Sequence, residues 1–116
     1  MSENGAAKVV IVDDDEDIRD ILRLVFEIEG FSVVGEADNG IAAVTLAMEH
    51  RPDFMILDYM MPEQDGEKTA EIVRALHPDC RIVAFSGIIT QKPHWADAFL
   101  TKDRVSDILP LVRGLL

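Results

Sequence analysis

Short continuous apolar runs along the chain alternate with longer stretches whose apolar residues recur every three to four positions. The runs "KVVIV" (8–12), "FSVVGEA" (31–37), "DFMIL" (53–57), "RIVAF" (81–85) and "DAFLT" (97–101) read as strands. Between the first two, Ile18, Ile21, Leu22, Val25 and Phe26 share one helical face over 17–29, and Gly30 fits its stop. "DNG" (38–40) reads as a turn or helix start. Ile41, Val44, Ala47 and Met48 then give a second helical face, ended by Pro52. A third helix follows Asp65-Gly66 and presents Ala70, Ile72, Val73 and Leu76 before Pro78. Near the C-terminus Ser106 is placed to cap a helix running to about Leu115, with Pro110 close enough to its start to be tolerated.

Strands that are apolar throughout, instead of alternating with polar residues, belong to a parallel sheet covered by helices on both faces. Repeated strand–helix alternation makes that a doubly wound α/β domain. At 116 residues the chain supports one core, so a single domain over 1–116 is expected, with a flexible N-terminal segment over 1–7. A formal net charge of −11 argues against a nucleic-acid surface and against docking on anionic lipid. No apolar run approaches the ~20 residues that span a bilayer. The start "MSENGAAK" lacks the order of a signal peptide and looks native. With one cysteine, neither an internal disulfide nor a cysteine-rich zinc site is available. The expectation is a cytoplasmic protein without direct nucleic-acid or membrane partners.

In doubly wound sheets, function collects at the carboxyl ends of the strands. The first strand ends in Asp13-Asp14-Asp15, the third in Asp58, the fourth in Ser86-Gly87 and the fifth in Thr101-Lys102. Each residue alone has an ordinary reading: Asp58 and Ser86 as turn residues, Lys102 as a solvated lysine, Glu16 and Asp17 as acids favoured at a helix start. Brought to one edge, they make a different set. Packed carboxylates repel unless a cation is present, and hard oxygen ligands suit Mg²⁺, which keeps positions open for water and phosphate. An aspartate beside it can attack a phosphoryl group to form an aspartyl phosphate. Ser86 and Lys102 would then supply a hydrogen bond and a positive charge.

"VDDD", "LDYMMPEQDG", "FSG" and "FLTK", in this order at strand ends, resemble the receiver domains of two-component response regulators over essentially the whole chain. The resemblance implies a five-stranded parallel sheet of order 2-1-3-4-5. It implies Asp13 and Asp14 as the metal-binding acidic pair, Asp58 as phosphoacceptor, and the main-chain carbonyl of Met60 as a further metal ligand. Ser86 corresponds to the switch hydroxyl, Lys102 to the phosphate-binding lysine and Phe99 to the switch aromatic, with Pro62 and Gly66 shaping the loop after the acceptor. The implied cofactor is Mg²⁺, with Mn²⁺ able to substitute. The implied donor is a phosphohistidine on a sensor kinase or phosphotransfer protein, and the implied target a downstream protein or fused output domain. Such a domain is no enzyme beyond catalysing its own phosphorylation and dephosphorylation.

Three features depart from or refine that pattern. Only 15 residues separate Ser86 from Lys102, which shortens the family's fourth helix by about one and a half turns and puts the usual dimer face in doubt. Asp103 stands where receivers often have a cis proline, so a trans bond is expected after Lys102. Met60 and Ile88, both apolar, flank the path of hydrolytic water in the family and imply a long-lived phosphoryl group. Other readings are a receiver-like interaction module acting without phosphorylation and a Mg²⁺-dependent phosphotransferase. The latter lacks a second aspartate two residues after the first, since Met60 is there. A dinucleotide binder would need a glycine-rich turn where this chain has acids.

Overall fold

The computed structural model describes residues 6–61, 65–87 and 90–116. Five strands, β1 (Lys8–Val12), β2 (Ser32–Ala37), β3 (Phe54–Leu57), β4 (Arg81–Ser86) and β5 (Ala98–Thr101), form one parallel sheet of order β2-β1-β3-β4-β5. The helices are α1 (Glu16–Ile28), α2 (Gly40–His50), α3 (Gly66–Leu76) and α4 (Ile108–Gly114). Alternate strand residues feed two apolar layers. Val10, Val12, Met55, Leu57, Ile82 and Ala84 pack with α2 and α3, while Val9, Ile11, Phe54, Ile56, Val83 and Phe85 pack with α1 and α4.

Capping residues set the helix starts. Asp15 accepts from Asp17 N, Asn39 from Ala42 N and Asp65 from Lys68 N, each satisfying a donor the helix leaves free. α1 buries Leu22 and Phe26 and ends before Gly30, whose φ of 87° suits glycine alone among unstrained residues. The flexible segment expected over 1–7 falls partly outside the described residues. Ala7, within it, is buried and its carbonyl accepts from Ser32 N, so the ordered chain reaches back at least that far.

Four expectations need correction. The α2 face is Gly40, Ala43 and Ala47, with Ile41 and Met48 exposed at 54% and 61%. A helix apolar nearly all round offers no periodicity to pick a face, and close approach selects the small residues. Gly35 on β2 receives Leu46 so tightly that a Cβ there would stand 2.7 Å from Leu46 Cδ2. On α3, Thr69, Ala70 and Val73 are buried, whereas Leu76 is 42% exposed.

Ser106 does not cap the C-terminal helix. Residues Lys102–Asp107 form a 3-10 segment with a break at Arg104, and α4 begins at Ile108 without a side-chain cap, placing Pro110 in its first turn. The shortened fourth helix is absent altogether among the described residues of the β4–β5 connection, where only a turn closed by Ala96 N to Pro93 O forms. Trp95 and Ala96 cover that side of the sheet instead, both buried in the layer shared with α2 and α3.

Candidate functional site

Backbone pairing carries two carboxylates to the same edge of the sheet. Asp13 N donates to Ala37 O at 3.0 Å and Asp58 N to Val12 O at 3.0 Å, so each extends its strand's ladder by one residue. Asp13 is 1% exposed and Asp58 5%, on adjacent central strands. Asp14 stands beside them, exposed, and one carboxylate oxygen from each of the three lies within 4.8 Å of the others. Ser86, fully buried, ends β4 opposite Thr101 of β5. From the next residue the Lys102 stem passes over Gly87 and sets Nζ 2.8 Å from Asp13 Oδ2 and 3.3 Å from Asp58 Oδ2. The bond after Lys102 is trans, as expected with Asp103 following.

One ammonium faces two buried carboxylates, with a third beside them, and the electrostatics follow. Burial, then the charge of Asp13, pushes the Asp58 carboxyl up to about 6 against the opposing pull of Lys102. Burial alone would lower the Lys102 ammonium, but its bond to Asp13 and the charges of Asp58 and Asp13 hold it above its ordinary value. Asp13 Oδ1 accepts from Asp15 N at 2.9 Å. Its Oδ2 is buried and meets the Lys102 ammonium at 2.8 Å. Three acceptor-only carboxylates against one ammonium leave negative charge unbalanced, which is chemistry that fits a small hard cation.

The loop after Asp58 is shaped by close approach. Gly66 N donates to Tyr59 O at 2.8 Å, and a Cβ on Gly66 would lie 2.6 Å from the Asp58 carbonyl oxygen, so only glycine fits. Tyr59 stacks on Trp95 with ring centroids 6.2 Å apart. The Met60 side chain is 55% exposed, and Phe99 is half-buried against the same layer as Trp95. Pro62 and Ile88 lie outside the described residues. The histidines stand apart from this cluster: His77 is buried between Pro52 O and Arg51, and His50 and His94 lie beside Glu49 and Glu67 at the surface.

Sequence reasoning missed Arg19 and Glu36. Arg19 Nη1 donates to the Asp13 carbonyl at 2.8 Å and Arg19 Nε lies 3.4 Å from Glu36 Oε1. A signal existed: Glu36 is a charged residue one position from the end of β2, on the same edge as the acids.

Similarity to known proteins agrees with this geometry. A halobacterial chemotaxis protein CheY (Halobacterium salinarum) is 30% identical over 118 residues, covering 90% of this chain and 98% of its own length. A putative transcriptional regulator of Pseudomonas aeruginosa is 41% identical over 80 residues, which are 69% of this chain and 39% of that protein. The chain thus spans about two fifths of the transcriptional regulators it matches and nearly all of that chemotaxis protein. Among solved structures, the receiver domain of the putative response regulator NarL of Mycobacterium tuberculosis is 32% identical with a TM-score of 0.78, covering 94% of this chain and 98% of its own. The response regulator domain of Thermotoga maritima CheB shares the fold with a TM-score of 0.84 at 23% identity, covering 94% of this chain and 95% of its own. The profile of the response regulator receiver domain matches residues 9–109, and the chain belongs to that family.

Proposed function

We propose that this receiver takes a phosphoryl group onto Asp58 from the phosphohistidine of a sensor kinase or phosphotransfer protein, in a Mg²⁺-dependent reaction, and changes conformation to control a protein partner in the cytoplasm. The observation that carries the reading is the buried Asp58 at the end of β3 with Asp13 beside it and the Lys102 ammonium 3.3 Å away. Asp13, Asp14, Asp58 and the Met60 main-chain carbonyl would hold Mg²⁺, or Mn²⁺ in its place. When bound, the cation supplies positive charge against which phosphoryl oxygens can be held.

An Asp58 carboxylate oxygen forms the new bond to phosphorus as the phosphorus–nitrogen bond of the donor breaks. The bonding pair leaves on the imidazole nitrogen, which takes up a proton. Lys102 exchanges part of its pairing with Asp13 and Asp58 for a phosphoryl oxygen, and Ser86 offers its hydroxyl to another. Drawing Ser86 toward that oxygen gives Phe99, on the neighbouring strand, a different place to rest. The phosphoryl group thereby biases two existing conformations through its different contacts with each. The chemistry stops at this domain's own phosphorylation and its loss, because Met60 occupies the place where Mg²⁺-dependent phosphotransferases of this kind carry a second aspartate.

Borohydride converts an aspartyl phosphate to homoserine, which locates the acceptor. After exposure to a small phosphoryl donor with Mg²⁺, peptide mapping should find homoserine at position 58 and only there. Homoserine elsewhere, or none from a protein that has gained a phosphoryl group, would contradict Asp58 as acceptor.

A further inference from the structure

We propose that Arg19 and Glu36 are positioning residues for the cation site: the Arg19 guanidinium holds the β1–α1 turn through the Asp13 carbonyl, and Glu36 holds the guanidinium. The inference rests on the metal-dependent reading above and deepens it. The Asp13 carbonyl lies past the last residue of β1, where the ladder no longer constrains it, and Arg19 Nη1 takes it at 2.8 Å. Arg19 is itself fixed at its backbone, its N–H bonding Asp15 O at 3.1 Å in the first turn of α1. Its side chain is only 18% exposed and its Nε faces Glu36 Oε1 at 3.4 Å.

Glu36 is well placed to orient it. The residue pairs with Ile11 in the β1–β2 register, so its side chain stands on the α1 side of the sheet. There it also takes Arg23. The chain of contacts runs from β2 through Glu36 and Arg19 to the backbone of Asp13, whose carboxylate belongs to the acidic cluster. Partners of this kind, one contact removed from the ligating oxygens, fix ligand orientation.

Charge and position make opposite predictions, which sharpens the test. Removing a nearby cation strengthens a cation site by Coulomb's law alone. Removing a group that holds a ligand's backbone in place weakens it. Mn²⁺ binding, followed by the electron paramagnetic resonance of free Mn²⁺, reads the difference without any phosphoryl transfer. Arg19→Ala should weaken Mn²⁺ binding by about tenfold or more, with thermal unfolding on the same samples showing the variant folded. Glu36 retains Arg23 as partner in that variant, so no buried charge is stranded. Arg19→Lys keeps the charge but cannot serve the Asp13 carbonyl and Glu36 together, and should fall between Arg19→Ala and the wild type. Glu36→Ala should weaken binding in the wild-type background and less so once Arg19 is gone.

Equal or tighter binding by a folded Arg19→Ala overturns the positioning role. Should Arg19→Ala not fold, unaltered binding by both Arg19→Lys and Glu36→Ala overturns it equally. A wild-type protein that binds no Mn²⁺ would overturn the metal-dependent reading itself, and this role with it.

Discussion

Asp58 is held under conditions that favour its proton, and the fold bears the cost at neutral pH. Its carboxyl is raised from 3.8 to about 6, chiefly by burial and then by Asp13. As pH rises through 4 the unfolded chain loses that proton first, while the folded chain keeps it until about 6. Stability contributed by this group is therefore present at low pH, falls between about 4 and 6, and stays lost above. Asp58→Asn removes the ionisation and keeps an oxygen for Lys102 to donate to. In metal-free buffer near pH 7.5 the variant should be more stable than the wild type, by on the order of 2 kcal/mol. The gain should vanish below pH 4. Denaturant unfolding at both pH values checks this, and a neutral-pH loss would contradict it. The same strain on the ionised site is what a bound cation would relieve.

The β4–β5 connection replaces a helix with a plug and a clamp. Trp95 is buried at 4% exposure and stacks on Tyr59, the neighbour of Asp58. Arg74 of α3 donates to the Trp95 carbonyl through both Nε and Nη2 and pairs with Asp97 at 3.0 Å. Asp97 in turn accepts from Ile82 N at 2.8 Å near the start of β4. The connection is thus tied to α3 at one side and to the loop after Asp58 at the other. Trp95→Ala should cost about 3–5 kcal/mol in urea unfolding followed by circular dichroism. A loss below about 1 kcal/mol would mean that Trp95 is not the cover of this face.

Across the whole molecule, sequence reasoning succeeded where one physical rule governed. Apolar runs such as "KVVIV" and "RIVAF" could only be buried strands, and a doubly wound sheet brings their carboxyl ends together. That rule alone assigns Asp13, Asp14, Asp58, Ser86 and Lys102 to one edge, and the geometry brings them together there. Sequence reasoning failed where packing made the choice. Uniform apolarity hid the face of α2, and no local signal in "DRVSD" says that a 3-10 segment precedes α4. "GIITQKPHWADA" gave length enough to suggest a short helix, but Trp95 is buried against Tyr59 and Gly66 from a non-helical turn. Arg19 and Glu36 lie 17 positions apart in the sequence, and it is the strand register that puts them together behind Asp13.

If Asp58 is the single phosphoacceptor of a metal-dependent switch, intact mass will show it. The wild type and Asp58→Asn are incubated with acetyl phosphate, with Mg²⁺ or with a chelator. One phosphoryl adduct is predicted on the wild type with Mg²⁺ alone, and none on Asp58→Asn under either condition. An adduct of equal yield on a folded Asp58→Asn, or one indifferent to the chelator, would contradict the account.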